Sequence, residues 1–301
     1  VKVTALVVTY NRLELLKECL KALSTQDESL KHVLVVNNNS TDGTGEFLES
    51  IEDPKVIVKN LNENLGGAGG FSYGIKYFSE NIDDDAIWIM DDDTIVQKEC
   101  LKNMILVANE HPDFGFLASN VRTSDGDAAV MNVPTLDDKK WNNEPMSKSI
   151  GFHPAIISAS FVSLLVRKDI IQEMGLPIKE FFIWGDDAEF TERISNRYTS
   201  YLVLNSIAIH KIKVNKGVDI VGEGKERIPR YFYSFRNRMF RARQYSGSKK
   251  AKKLIRIFID FNKVVFKRSV QFRFRKILIM LKGILAGLFF NPKIEYPQKN
   301  K

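Results

Sequence analysis

Apolar and polar positions alternate along this chain in blocks that change period. The run VTALVVTY (3–10) is β-branched and continuous, the pattern of a buried strand. In RLELLKECLKALSTQ (12–26), Leu15, Leu16, Cys19, Leu20 and Leu23 recur at the spacing of an amphipathic helix. KHVLVVNNNS (31–40) predicts a second strand that ends in a polar loop, and STDGTGEFLESI places cap-type residues before a helix. KVIVKNL (55–61) is a third strand. GGAGGFSYGIKYFSEN (66–81) is a glycine loop feeding a helix, and AIWIMDDD (86–93) is a fourth strand with its tip.

Strands alternating with helices predict a mostly parallel, Rossmann-like α/β sheet. Such sheets bind ligands outside the carboxyl ends of their strands. Polar clusters fall at those ends: Thr9–Arg12, Asn37–Ser40, Asn62–Asn64 and Asp91–Asp93.

Residues 120–150 lack periodicity and hold Gly126, Pro134 and Pro145, which predicts an excursion over that rim. AIISASFVSLLVRKDII (155–171) reads as a strand then a helix, EFFIWGDDAEFTERISNR (180–197) as a turn entering a helix, and SYLVLNSIAIHKIKV (200–214) as a strand. Beyond 225 the chain becomes helical and basic.

Charge sharpens that last boundary. Residues 1–224 hold 22 Lys+Arg against 34 Asp+Glu, a balance of −12; residues 225–301 hold 22 against 3, a balance of +19, and the sum is the net +7. We therefore expect an acidic head (1–224) with one task and a basic helical region (225–301) that meets an anionic surface. There, RYFYSFRNRMFRARQY (230–245) and residues 249–290 interleave cations with Phe, Ile, Leu and Val. Such helices lie in a membrane interface or pack as ordinary core; nucleic acid ranks last and is not an expected partner.

The longest apolar stretch, ILIMLKGILAGLFF (277–290), carries Lys282 and is shorter than a spanning helix. No signal-like segment precedes the first strand, and Cys19 and Cys100 form no pairing pattern or CxxC. These features predict a soluble or peripheral protein in a reducing compartment.

Three stretches carry candidate chemistry. In WIMDDDT (88–94), three adjacent carboxylates repel one another and raise each other's proton affinity. Asp91 and Asp93, at i and i+2, can share a hard divalent cation, Mn²⁺ or Mg²⁺; a solvated acidic turn is the plainer reading. In WGDDAEF (184–190), Asp186, Asp187 and Glu189 either cap a helix or place a general base beside Trp184, a sugar-stacking platform. In NENLGGAGGF (62–71), the glycines make a tight turn or let the backbone approach a phosphate. Ser72 breaks the G-x-G-x-x-G pattern, and no P-loop Lys-Ser/Thr follows. His210 is a structural histidine, or a ligand if the acidic triplet holds metal.

ALVVTYNR, VVNNNSTDGT, NENLGGAGGF, WIMDDDT and WGDDAEF occur in one order. That series resembles the inverting family 2 glycosyltransferases of the GT-A fold, over about residues 1–215. The glycine block, triple Asp and W-x-D-D-x-E run look most like bacterial galactofuranosyltransferases, with rhamnosyltransferases near neighbours. The resemblance implies a GT-A catalytic domain (1–224) and transfer from UDP-galactofuranose to a lipid-linked glycan by a cytoplasmic protein, peripheral on the inner face of a bacterial cell membrane. It makes Asp91, Asp93 and His210 metal ligands, and Asp91 and Asp92 contacts of the nucleotide sugar. It makes Asp187 the base, Asp186 and Glu189 its support, and Trp184 an acceptor contact. Thr9, Asn11, Arg12 and Asn38 would grip the nucleoside, and Gly67, Gly69 and Gly70 would lie near the diphosphate or donor sugar. Many relatives carry an acid where this chain has Asn37–Asn39, so uridine and thymidine both stay open. dTDP-rhamnose is the alternative donor; a non-catalytic sugar-binding or nucleic-acid-binding protein is the alternative of another class.

Overall fold

A computed structural model describes residues 1–141 and 153–298. In chain order the elements are β1 (Val3–Thr9), α1 (Leu13–Leu23), β2 (Leu30–Asn37), α2 (Thr44–Glu49), β3 (Val56–Asn60), α3 (Gly66–Asn81), β4 (Ala86–Asp91), β5 (Thr94–Val96), α4 (Cys100–Glu110) and β6 (Phe116–Arg122). There follow β7 (Thr135–Leu136), α5 (Asp138–Trp141), β8 (Ile156–Ser158), β9 (Leu164–Arg167), α6 (Lys168–Met174), α7 (Asp186–Ser195), β10 (Tyr201–His210), α8 (Tyr231–Gln244), α9 (Gly247–Phe266) and α10 (Arg273–Phe289).

Eight strands form one sheet in the order β3-β2-β1-β4-β9-β6-β10-β5. The pairs β3/β2, β2/β1, β1/β4 and β6/β10 are parallel, while β9 and β5 run against their neighbours. The expectation of a mostly parallel α/β sheet therefore holds.

Side-chain alternation divides the core between the two faces. Val3, Ala5 and Val7 of β1, with Trp88 and Met90 of β4, pack under Leu16, Cys19 and Leu23 of α1 and Met104 of α4. Leu6, Val8, Ile87 and Ile89 point the other way, onto Ile75 and Phe78 of α3, Ile170 of α6 and Phe190 of α7. Both faces are covered, which is why these strands read as continuous apolar runs.

Three differences from the pattern have local causes. The amphipathic helix stops at Leu23, short of residue 26. Residues 155–171 hold two strands rather than one, because the chain turns at Ser163 (φ +61°) between β8 and β9. The strand near 200–214 ends at His210, where its pairing with Thr94 of β5 ends. Residues 94–119 carried no expectation and form β5, α4 and most of β6. Part of the 120–150 excursion, including Pro145, lies outside the described residues; β7 within it pairs with β8.

The three C-terminal helices have a core of their own, in which Tyr231, Phe235 and Met239 of α8 meet Ile257 and Val264 of α9 and Met280 of α10. Gly283 and Gly287 let α10 approach α8: a Cβ at either would lie 2.7 Å or 2.6 Å from a backbone oxygen of α8. Among the described residues, no helix is long and apolar enough to cross a membrane.

Candidate active site

Strand register aligns the polar clusters. Thr9 pairs with Asn37, Asn37 with Asn60, and Val8 with Asp91, so the carboxyl ends of four parallel strands share one rim. β10 brings His210 to that rim from far along the chain.

Asp91, Asp93 and His210 converge there, each offering an atom within 4.8 Å of the others. His210 Nε2 lies 3.1 Å from Asp93 Oδ1, and its Nδ1 lies 2.8 Å from Asn132 Oδ1. Asn132 Nδ2 donates to Ser160 Oγ at 2.8 Å, which orients the amide so that its oxygen faces the imidazole. Nδ1 therefore faces the Asn132 oxygen, and Nε2 is the nitrogen turned toward Asp93. Asp93 Oδ1 is buried without a well-formed hydrogen bond.

Burial and the flanking Asp93 and Asp92 push the Asp91 carboxyl well above its ordinary value. Burial also works to raise Asp93, but its contacts with His210 and with the Arg12 guanidinium outweigh it and hold the carboxyl low. An orphaned buried oxygen, a crowd of carboxylates and an imidazole of fixed orientation fit a hard divalent cation.

Asp92 faces elsewhere. Its Oδ2 accepts from Thr9 Oγ1 (2.8 Å) and Tyr10 N (3.3 Å), and Arg12 Nη1 bridges Asp92 Oδ1 (3.2 Å) and Asp93 Oδ2 (2.5 Å). Burial lifts Asp92 to about 6. Thr9 and Arg12 thus brace the acidic tip. Asn11, in the left-handed region at φ +53°, accepts from Thr41 N at 2.7 Å and ties the β1–α1 loop to the β2–α2 loop.

The expected glycine loop is instead the first turns of α3, which begins at Gly66, and buried Asn38 clamps its start: Nδ2 donates to Gly66 O and Oδ1 accepts from Leu65 N, both at 2.9 Å. Gly69 and Gly70 sit where a Cβ would meet Leu65 Cβ at 2.4 Å and Val8 Cγ1 at 2.6 Å, whereas Gly67 opens onto free space. Asn37 pairs with Asn60 at 2.9 Å.

The second acidic cluster reaches the glycine loop through its preceding turn. Ala68 N donates to Phe182 O at 3.1 Å, and Gly66 has room for no side chain against that oxygen. Phe182 and Trp184 both hold positive φ, +63° and +65°, a strained turn for non-glycine residues. Asn237 of α8 holds it: Nδ2 donates to Phe181 O (3.0 Å), Ile183 O (3.2 Å) and Trp184 O (2.9 Å). Trp184 leans on Tyr231, with ring centroids 5.1 Å apart.

Asp186 and Asp187 open α7. Burial, then Asp187, raises Asp186 to about 7, and Asp186 itself adds to the field raising Asp91. That mutual repulsion joins the two acidic clusters electrostatically. Asp187 is also raised by burial, partly offset by the Ala188 N–H (2.6 Å) and by Arg241 of α8. Arg241 in turn pairs with Glu192 at 2.9 Å. Glu189 is occupied by Arg193, bound at 2.9 and 3.0 Å.

Sequence reasoning did not find Asn132, Asn237 or Arg241. The first lies in an aperiodic loop and the others in the basic region, where nothing local marks them.

Residues 4–170 match the family model described as Glycosyl transferase family 2, and the chain belongs to that family. It is 29% identical over 200 residues to galactofuranosyltransferase GlfT1 of Mycolicibacterium smegmatis, a match covering 64% of this chain and 65% of that protein. The poly-beta-1,6-N-acetyl-D-glucosamine synthase of Staphylococcus epidermidis is 22% identical over 176 residues, covering 58% of this chain and 41% of that one. Among solved structures, S. aureus TarS 1-349 in complex with UDP-GlcNAc superposes with TM-score 0.58 at 17% identity, covering 95% of this chain and 81% of TarS. GalNAc-T7 with UDP, GalNAc and Mn²⁺ gives TM-score 0.61 at 12% identity, covering 80% of this chain and 50% of that one. These likenesses confirm the GT-A-like fold.

Proposed function

We propose that this chain is an inverting glycosyltransferase that moves galactofuranose from UDP-galactofuranose to a hydroxyl of a lipid-linked glycan. The observation that carries the reading is that two largely buried acidic clusters, Asp91/Asp93/His210 and Asp186/Asp187, lie within electrostatic reach of one another. The likeness to a protein named galactofuranosyltransferase supports the choice of donor sugar.

Asp91, Asp93 and His210 would hold Mn²⁺ or Mg²⁺, which supplies charge stabilisation to a departing nucleoside diphosphate. The first turn of α3, bare of side chains at Gly67, lets the helix N-terminus approach the diphosphate. Asp187 takes the proton of the acceptor hydroxyl; its raised proton affinity makes it the stronger base, and Arg241 keeps it ionised. Direct attack by that hydroxyl inverts the anomeric centre without a covalent enzyme intermediate. Trp184 and α8 shape the acceptor side. The basic helices set the enzyme on the cytoplasmic face of an anionic membrane, where a lipid-linked acceptor resides.

Calorimetric titration of UDP with and without Mn²⁺, followed by a donor panel containing UDP-galactofuranose and dTDP-rhamnose, tests this reading. Metal-enhanced UDP binding and transfer from UDP-galactofuranose are expected. UDP affinity indifferent to Mn²⁺ would overturn the metal assignment, and transfer only from dTDP-rhamnose would overturn the donor.

A further inference from the structure

α10 has two apolar faces. One packs on α8 through Met280, Gly283 and Gly287. The other carries Phe274, Leu278, Leu281, Leu285 and Leu288 at helical spacing and lies in solvent, Phe274 being 87% exposed. α9 repeats this with Ile255, Phe258, Ile259 and Phe266. A folded protein rarely leaves so much apolar surface without a partner.

Beside the α10 stripe lies a shallow cavity of about 200 Å³. Ile228, Pro229, Leu278 and Ile279 form its apolar lining, and Lys225, Arg275 and Lys282 supply three cations. No acidic side chain lines it, and among the described residues none of the three cations has an ion pair or side-chain hydrogen bond. Lys276, the buried lysine of the same helix, is by contrast satisfied by Val221 O at 2.9 Å. Three free cations over an aliphatic floor, beside an exposed leucine stripe, match a phosphate group attached to acyl chains. Single-stranded nucleic acid would want aromatic platforms for its bases, and the cavity has none.

We propose that the Lys225/Arg275/Lys282 cavity is a headgroup site for an anionic phospholipid, seated as the α10 stripe enters the bilayer interface. The proposal deepens the membrane contact suggested above and rests on it, but is independent of the transferase chemistry.

Flotation of the full chain with vesicles of phosphatidylcholine alone, or of phosphatidylcholine and phosphatidylglycerol at roughly 7:3, tests it. The wild type floats with the anionic vesicles only. Lys225→Ala/Arg275→Ala/Lys282→Ala weakens that binding about a hundredfold, at ~1 kcal/mol per cation near the surface. Lys31→Ala/Lys55→Ala/Lys98→Ala removes the same charge from exposed positions of the head, away from the basic helices, and weakens it no more than about threefold. Phe274→Trp fluorescence is quenched by brominated acyl chains. A wild type that floats with neither vesicle overturns the membrane contact itself. Equal losses in the two triple variants, or displacement from vesicles by millimolar inorganic phosphate, leave that contact standing and overturn the headgroup site. Binding to a single-stranded oligonucleotide in place of vesicles overturns both.

Discussion

Asn132 Oδ1 lies 2.8 Å from His210 Nδ1, and this contact leaves Nε2 as the nitrogen facing Asp93. The imidazole is thereby held in one orientation by a residue 78 positions away in sequence. Partners of this kind tune a metal ligand without touching the metal. Asn132→Ala should weaken Mn²⁺ binding about 10- to 100-fold by calorimetry in the presence of UDP. The melting temperature should fall as well, by an amount reflecting about 1–3 kcal/mol, because two side-chain hydrogen bonds are lost, to His210 and to Ser160. Unchanged Mn²⁺ affinity would show that His210 is held by β10 alone.

The glycine loop gives an internally controlled experiment. Gly66 has φ +71°, and a Cβ there would stand 2.1 Å from Phe182 O; at Gly67 a Cβ meets nothing within 4 Å. Gly66→Ala must therefore push away the turn that leads to Asp186 and Asp187. It should destabilise the protein by at least ~2 kcal/mol and lower kcat more than donor affinity. Gly67→Ala should leave stability nearly unchanged. Equal melting temperatures for the two variants would contradict the packing of this turn on the loop.

These contacts also show which parts of the molecule were legible in advance. β1, β2 and β4 are covered on both faces, so their apolar runs stood out, and Asp91–Asp93 and Asp186–Asp187 followed them as short motifs. β9 was not legible as a separate strand because Leu164–Arg167 merges with the apolar residues around it and runs against its neighbours. Asn237 was hidden for another reason: one amide serving three carbonyls depends on how α8 docks, and no local period encodes docking. Asn38 carries a family motif, yet both ends of its amide are engaged by the glycine loop.

Asp186 makes stability depend on pH in a definite direction. Burial and Asp187 raise its carboxyl to about 7, whereas an unfolded aspartate titrates near ~3.9. Between those values the native state binds more protons than the unfolded chain, so its stability falls as pH rises. The contribution is fully present below about pH 4 and is lost by the time pH passes 7. Asp186→Asn removes that loss. Its melting temperature should exceed that of the wild type at pH 8, by an amount reflecting a few kcal/mol, and the gap should close toward pH 4. A gap independent of pH would mean that Asp186 is not the titrating group.

Asp187 and Arg241 separate chemistry from binding. Asp187→Asn keeps the shape of the first turn of α7 but cannot accept a proton, so transfer should fall about 10²- to 10⁴-fold while UDP affinity is retained. Arg241 lies against Gly185, its Nη1 3.7 Å from where a Cβ there would stand, and it lowers the proton affinity of Asp187. Arg241→Met should let the Asp187 carboxyl rise further. The acidic limb of the kcat/KM profile would then move to higher pH, and activity lost at pH 6.5 would be partly recovered at pH 8.5. Arg241→Lys keeps the charge and should restore most of the wild-type profile. Because Glu192 would lose its 2.9 Å partner in Arg241→Met, some loss of stability is expected as well. The pH displacement tells the two effects apart: a uniform fall in rate across the whole pH range would assign Arg241 to structure alone.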